Sequence, residues 1–150
     1  MRIVEMIPHA LYAGGKIDDD KSWAFILEHM DVILNVRTAQ DHPPRAIPGK
    51  LFLWAPLLDK QAPHVQWVVT LMQTMNTFFD MGYVMHVHET GGINRLGFIL
   101  AAFYMQRFGW NREQALAVAR AKKPDLQPKP PYMELLSQYK AYLCGPYQKG

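Results

Sequence analysis

The chain has 150 residues, of which 49% are apolar and 19% are charged, and its formal net charge is +3. This length and composition suffice for the buried core of one domain, so we expect a single domain over residues 1–150. The weak positive charge gives no indication of nucleic-acid binding. The longest apolar stretches fall far short of the roughly 20 residues of a membrane span, so we expect no membrane association.

The chain contains one cysteine, Cys144, which excludes an intramolecular disulfide. Such cysteine usage is typical of a reducing compartment. The first residues, Met1–Met6, include charges and no long apolar run of the kind found in signal peptides. We therefore expect a cytoplasmic protein.

Short apolar segments predict the strands of a sheet. Two weaker segments lie at Ile3–Ile7 and Ala10–Ala13. Three clearer ones follow at Val32–Val36, Leu51–Trp54 and Tyr83–His88, each bounded by turn-forming or polar residues.

Helical patterns lie between these strands and after them. Asp18–Asp20 supply N-cap and first-turn acids for a helix through Met30, and Pro63 suits the first turn of a helix that runs to about Asp80. Because strands alternate with helices before several helices follow in a row, we expect an α/β fold. Its central, mostly parallel sheet of short strands is flanked by helices, and its C-terminal half is helical. The last three predicted helices are Arg95–Phe108, Asn111–Lys122 and Pro131–Leu143.

The segment Val87–Gly97 joins a predicted strand to a predicted helix through a turn with two glycines. Backbone N–H groups converge in such a turn, and the helix dipole adds positive potential. Arg95, at the start of the helix, offers a bidentate fork for phosphate oxygens. The segment therefore indicates an anion site, although glycines also occur in plain strand–helix turns.

The same segment resembles the phosphate-binding loop of the dual-specificity protein-tyrosine phosphatases. That signature is His-Cys, five variable residues with glycine third, Arg, and then Ser or Thr. Here His88 precedes Glu89 at the cysteine position, Gly92 is the third of five, Arg95 follows, and Leu96 replaces the hydroxyl residue. By this resemblance the residues of the phosphate loop are His88, Thr90, Gly91, Gly92, Ile93 and Asn94. The resemblance also implies that His88 shapes the loop by hydrogen bonding.

The resemblance covers nearly the whole chain. Met6–Gly14 resembles the family's opening strands, and Val32–Val36 its next core strand. Ala55–Asp59 lies where the family has its general-acid loop, which makes Asp59 the matching aspartate. Lys123–Tyr132 resembles the closing motif before the last helix. The resemblance implies a phosphatase-type strand, phosphate loop and helix.

In that family a cysteine thiolate attacks phosphorus, while the arginine and the loop amides hold the phosphate oxygens and the aspartate protonates the leaving group. This chain retains Arg95 and Asp59 but lacks the nucleophile and the assisting hydroxyl. A carboxylate is a poorer nucleophile, and an ionised Glu89 would repel a phosphate dianion. We hypothesise that the Glu89 carboxylate occupies the loop itself, mimics phosphate and pairs with Arg95.

Two functions follow as expectations. The first is a catalytically impaired, pseudophosphatase-like domain that binds a protein or a phosphorylated partner. The alternative is a phosphatase, either with altered chemistry or inactivated at its nucleophile, for which the retained Arg95 and Asp59 argue. Asp59 also fits a relic, a surface loop residue or part of a partner-binding surface.

We expect no cofactor and no metal. His86 and His88 share one strand face and Glu89 follows them, which suggests a metal site, but a third ligand is missing from the face. A further set of cations is typical of a solvated basic face: Arg120, Lys122, Lys123 and Lys129.

Overall fold

The structure, a computed structural model, describes residues 3–45, 47–91 and 93–145. Within these ranges the chain forms five strands and five helices. The strands are β1 (Ile3–Ile7), β2 (Leu11–Gly14), β3 (Val32–Asn35), β4 (Leu51–Trp54) and β5 (Met85–His88). The helices are α1 (Asp20–His29), α2 (Val65–Asp80), α3 (Asn94–Phe108), α4 (Arg112–Lys122) and α5 (Pro130–Leu143).

The strands form one sheet in the order β1-β2-β5-β3-β4. β1 pairs antiparallel with β2, and the remaining neighbours are parallel. His88, the last residue of β5, lies between Gly14 of β2 and Asn35 of β3. Because parallel strands end at the same edge, the chain after His88 leaves the sheet at the middle of its carboxyl edge, where α/β proteins place their ligands.

Helices cover both faces of the sheet. One face packs on α1 through a small core that includes Trp23, Ile26 and Met30. The other packs on the larger core formed with α2–α5. Every residue from Asn94 to Met105 is buried, so α3 is the central helix of this layer. An α/β sheet with a helical C-terminal half is the predicted architecture, and it is confirmed.

Local signals predicted most element boundaries to within two residues. The capping box of α4 is present, since the Asn111 side chain accepts from the Gln114 amide at 2.8 Å and the Gln114 side chain accepts from the Asn111 amide at 3.2 Å. β5 starts at Met85, not at Tyr83 as predicted. The Tyr83 and Val84 amides are instead bound by Phe78 and by the Asp31 carboxylate.

None of the described helices is long and apolar enough to cross a bilayer. The assignment of residues 1–150 to one domain stays a prediction.

Candidate functional site

The loop between β5 and α3 is anchored on the neighbouring strand β2. The Glu89 amide donates to the Gly14 carbonyl at 3.2 Å, and the Lys16 amide donates to the Thr90 carbonyl at 3.2 Å. Gly15 makes this approach possible, because a Cβ there would lie 3.2 Å from the Thr90 carbonyl oxygen. Gly92, predicted as a loop residue, lies outside the described residues.

The Glu89 side chain binds the first turn of α3. It is buried, and its two carboxylate oxygens have different partners. Oε2 accepts from Arg95 Nε at 2.9 Å, and Oε1 accepts from the Leu96 amide at 2.8 Å. Ile93, the N-cap of α3, has no side-chain capping bond, so Glu89 supplies an acceptor to an otherwise orphan helix amide.

The structure contains the hypothesised pair of Glu89 and Arg95. Among the described residues, the backbone partner of this carboxylate is the Leu96 amide in the first turn of α3. Thr90, Gly91 and Ile93 are exposed at the mouth of the site.

Arg95 has a second partner across the site. Its Nη1 donates to the Leu57 carbonyl at 2.8 Å, just before the predicted general-acid position. The guanidinium therefore holds the Leu57–Asp59 segment as well as Glu89. Two N–H donors of Arg95 are thus bound by groups of the protein, whereas the resemblance implies that the arginine binds phosphate.

Asn94 clamps two segments together from the start of α3. Its Nδ2 donates to the Asp59 carbonyl at 2.7 Å and to the Asp59 carboxylate at 2.9 Å. Its Oδ1 accepts from the Lys129 amide at 2.6 Å. Through these bonds the buried Asn94 joins the predicted general-acid loop to the segment before α5, at the N-terminal end of α3.

Asp59 is paired with Lys129. The Lys129 ammonium donates to the second carboxylate oxygen of Asp59. This hydrogen bond, followed by that from Asn94, lowers the pKa of Asp59. Lys129 was expected on a solvated basic face, and its placement beside Asp59 corrects that expectation. Gly97, a glycine inside α3, is a sequence signal for the position of this segment. A Cβ there would lie 3.2 Å from Pro128, the residue before Lys129.

Tyr132 of α5 holds the same acid loop from below. Its hydroxyl donates to the Leu58 carbonyl and, at 3.4 Å, to the Gln61 carbonyl. The side chain is fully buried, and this burial raises the pKa of Tyr132 to about 12. Tyr132 is therefore a neutral donor that fixes the loop carrying Asp59.

His88 contacts the β3–β4 loop. Its Nε2 lies 3.0 Å from an Asp41 carboxylate oxygen, and the second Asp41 oxygen lies 3.9 Å from Arg37. Arg37 also donates to the Thr90 hydroxyl at 3.3 Å. The network supports the loop at Thr90, a role close to the loop-shaping one that the resemblance implied for His88.

His86 stacks on His88 with 5.8 Å between ring centroids, so the two share a face as predicted. Neither ring nitrogen of His86 has a hydrogen-bond partner among the described residues. Complete burial lowers the pKa of His86 to about 3. The described ranges contain no group of three His, Cys, Asp or Glu side chains placed to hold a metal ion.

One open cavity of about 600 Å³ lies at this site. Its floor contains Glu89 and Arg95, and its rim contains Asp59 and Lys129. The structure thus brings together all the described residues that the resemblance assigned to the site except His88, which lies behind the loop. The remaining lining residues are Thr90, Gly91, Ile93, Asn94, Gln127, Pro128 and Pro130.

Comparison with known proteins identifies this arrangement. Curated protein sequences give no match. Among solved structures, a human tyrosine phosphatase-like serine/threonine/tyrosine-interacting protein is 18% identical with a TM-score of 0.82, covering 95% of this chain and 98% of its own. Human DUSP28 is 20% identical with a TM-score of 0.79, covering 95% of each chain.

A mouse protein described as a dual-specificity phosphatase, complexed with zinc tungstate, is 18% identical with a TM-score of 0.80, covering 94% of this chain and 87% of its own. At these identities the structural likeness shows the fold. The sequence profile of the dual-specificity phosphatase catalytic domain matches residues 12–142, which is most of the chain. This protein therefore belongs to the dual-specificity phosphatase family.

Proposed function

We propose that this domain is a pseudophosphatase, which binds a partner protein and does not hydrolyse phosphate esters. One observation carries the proposal. The Glu89 carboxylate, at the nucleophile position, binds Arg95 and the Leu96 amide through both of its oxygens. The arginine that would hold a phosphate is thereby engaged by the protein itself.

The charge of Glu89 also opposes a phosphate ester. Two like unit charges ~4 Å apart repel by about 1 kcal/mol in water and about 4 kcal/mol at an effective dielectric of ~20. Glu89 is only 2% exposed, so little solvent screens it. Leu96, fully buried, offers no hydroxyl to assist a second chemical step.

The position of the general acid is affected as well. A general acid must be protonated at the working pH. The Lys129 ammonium and Asn94 lower the pKa of Asp59, which disfavours the protonated form that a general acid needs. This supports a site without a proton donor, in addition to one without a thiolate.

A protein partner is the ligand that we propose. The name of the human structural neighbour describes that protein as tyrosine phosphatase-like and interacting, which gives a precedent for binding on this fold. We also propose a cytoplasmic location, because the single cysteine, Cys144, is a free exposed thiol, as is usual in a reducing compartment.

The test compares the natural chain with Glu89→Cys, Glu89→Ser and Glu89→Cys/Leu96→Ser, all in a Cys144→Ser background so that residue 89 carries the only thiol. Turnover of an aryl phosphate and binding of tungstate by calorimetry are measured. We expect neither in the natural chain. We expect tungstate binding in Glu89→Ser, because Arg95 is released.

Turnover of the aryl phosphate by the cysteine variants alone would support the proposal, because it would show that only the nucleophile is missing from the site. Turnover by the natural chain, abolished in Arg95→Met, would overturn the proposal and favour a phosphatase with altered chemistry. Tungstate binding by the natural chain at the affinity of Glu89→Ser would show that Glu89 does not occlude the loop.

A further inference from the structure

The cavity has the size of a ligand site but contains no spare positive charge. Its volume of about 600 Å³ is within the roughly 300–1,000 Å³ of small-ligand pockets. Four charged side chains line it, two acids and two bases. Glu89 lies 2.9 Å from Arg95, and Asp59 is paired with Lys129. Among the described lining residues, each cation therefore has a carboxylate partner inside the cavity.

This balance decides which ligands fit. A phosphate dianion would have to break one of the two pairs or lie beside two carboxylates without a free cation. An uncharged ligand displaces no ion pair and introduces no charge. The cavity is therefore complementary to a neutral group.

The other walls suit an aromatic group with one polar end. Ile93 is 41% exposed, and the exposed Pro130 adds apolar ring surface to the same cavity, which the buried Pro128 also lines. Gln127 and the Thr90 hydroxyl are exposed at the cavity and supply neutral donors and acceptors. An aromatic ring with a hydroxyl matches these walls, because it combines an apolar body with a polar tip.

We infer that this cavity binds an unphosphorylated tyrosine side chain of a partner protein and discriminates against phosphotyrosine. The inference rests on the proposed function, because it requires the pair of Glu89 and Arg95 to stay intact. Phosphorylation of the partner's tyrosine would then release the complex.

The test uses N-acetyl-tyrosine amide and N-acetyl-phosphotyrosine amide as probes. Binding to the full chain is followed by the amide NMR signals of Ile93, Gln127 and Lys129, and phosphate release is followed by ³¹P NMR. We expect the tyrosine amide to shift these signals and to bind at least about tenfold more tightly than its phosphorylated form.

Two rim variants shift the charge of the cavity in opposite directions without changing the buried floor. Asp59→Asn frees Lys129 and should move the affinity ratio toward phosphotyrosine. Lys129→Met leaves Asp59 unpaired and should move it further toward tyrosine. Both residues are partly exposed, so we expect both variants to fold.

A matched pair of control variants lies outside the cavity. Arg107 and Asp80 form a 2.7 Å ion pair at the C-terminal ends of α3 and α2, and neither residue lines the cavity. Asp80→Asn and Arg107→Met therefore change the net charge by the same amounts. The affinity ratio should not move in either control.

The outcomes separate this inference from the proposed function. Signals that shift for neither probe, or phosphotyrosine binding more tightly without phosphate release, would overturn the tyrosine inference and leave a non-catalytic domain. Phosphate release by the natural chain would overturn the proposed function. If the ratio of the two affinities were the same in the rim variants and in the controls, the ion pairs would not select the ligand, and the tyrosine inference would be overturned.

Discussion

The floor and the rim of the cavity each contain one acid–base pair, but the two pairs differ in burial. On the floor, the side chains of Arg95 and Glu89 are 9% and 3% exposed. On the rim, those of Lys129 and Asp59 are 40% and 45% exposed. A buried pair cannot lose one partner without stranding a charge, whereas an exposed pair is screened by water and contributes little. The loss of one partner should therefore be costly on the floor, whereas on the rim it should change mainly the local potential.

Removal of the floor cation should have the largest effect. Arg95→Met leaves the buried Glu89 carboxylate with the Leu96 amide as its remaining described partner and also breaks the bond to the Leu57 carbonyl. We expect the free energy of unfolding to fall by about 3–5 kcal/mol, measured by urea denaturation.

The control is Glu89→Met/Arg95→Met, which replaces both charges with apolar side chains of similar length. This double variant should be more stable than Arg95→Met alone, because no buried charge is left unpaired. If Arg95→Met were as stable as the natural chain to within about 1 kcal/mol, the floor pair would behave like an exposed pair and the contrast with the rim would be wrong.

Acid should destabilise the part of the sheet beneath the floor. The pKa of His86 is lowered to about 3, whereas an unfolded histidine titrates near 6.5. Between these values the unfolded chain binds one more proton, so the contribution of His86 is intact above pH ~6.5 and decreases by about 1.4 kcal/mol per pH unit below it. Urea denaturation as a function of pH measures this slope.

Two variants isolate the contribution of His86. His86→Leu should remove the extra acid slope, whereas His29→Gln, at a histidine whose side chain is 50% exposed, should keep it. An unchanged slope in His86→Leu would assign the acid sensitivity to other groups.

The contrast between floor and rim also separates what the sequence could predict from what it could not. Glu89 and Arg95 are six residues apart across one loop, so the spacing of a single motif brought them together. The capping box of Asn111 and Gln114 is likewise local. Such contacts depend on one turn or loop, whose geometry short-range signals determine.

The contacts at the rim and behind the loop join segments that are distant in the chain. Lys129 and Asp59 are 70 residues apart, and His88 and Asp41 are 47 apart. Their meeting depends on how three loops pack at one edge of the sheet, which no local pattern encodes. Gly97 was the available signal, because a glycine inside a helix is unfavourable by about 1 kcal/mol unless another segment packs against it closely. Pro128 is that segment here.

Asn94 connects the floor to the rim, and its removal should have an intermediate effect. Asn94→Ala abolishes the bonds to Asp59 and strands the Lys129 amide. We expect a loss of about 1–3 kcal/mol in the free energy of unfolding. Hydrogen exchange of the Lys129 amide should accelerate. Asn94→Asp keeps the acceptor for that amide, so it should protect Lys129 while placing a second carboxylate beside Asp59.

The smallest change in stability is expected for Lys129→Met. Asp59 is almost half exposed, so solvent screening limits the loss to less than about 1 kcal/mol. The effect should appear in titration instead: the pKa of Asp59 should rise, as followed by ¹³C NMR of its carboxyl carbon. Because the pKa of Asp59 is lower in the folded state than the ~3.9 of the unfolded chain, its carboxylate stabilises the fold at pH values above ~3.9. This stabilisation is lost as the pH falls through the folded-state pKa. The loss of stability in acid should therefore be smaller in Lys129→Met.

Lys123→Met is the matched control, because it removes a cation from another ion pair and should leave the titration of Asp59 unchanged. An Asp59 pKa that stays low in Lys129→Met would assign the shift to Asn94, which donates to the same carboxylate at 2.9 Å. The rim would then depend on the buried clamp, as the floor does. A rise in the pKa of Asp59 with only a small loss of stability would instead show that the charge of the cavity can be altered at its rim while its floor remains folded.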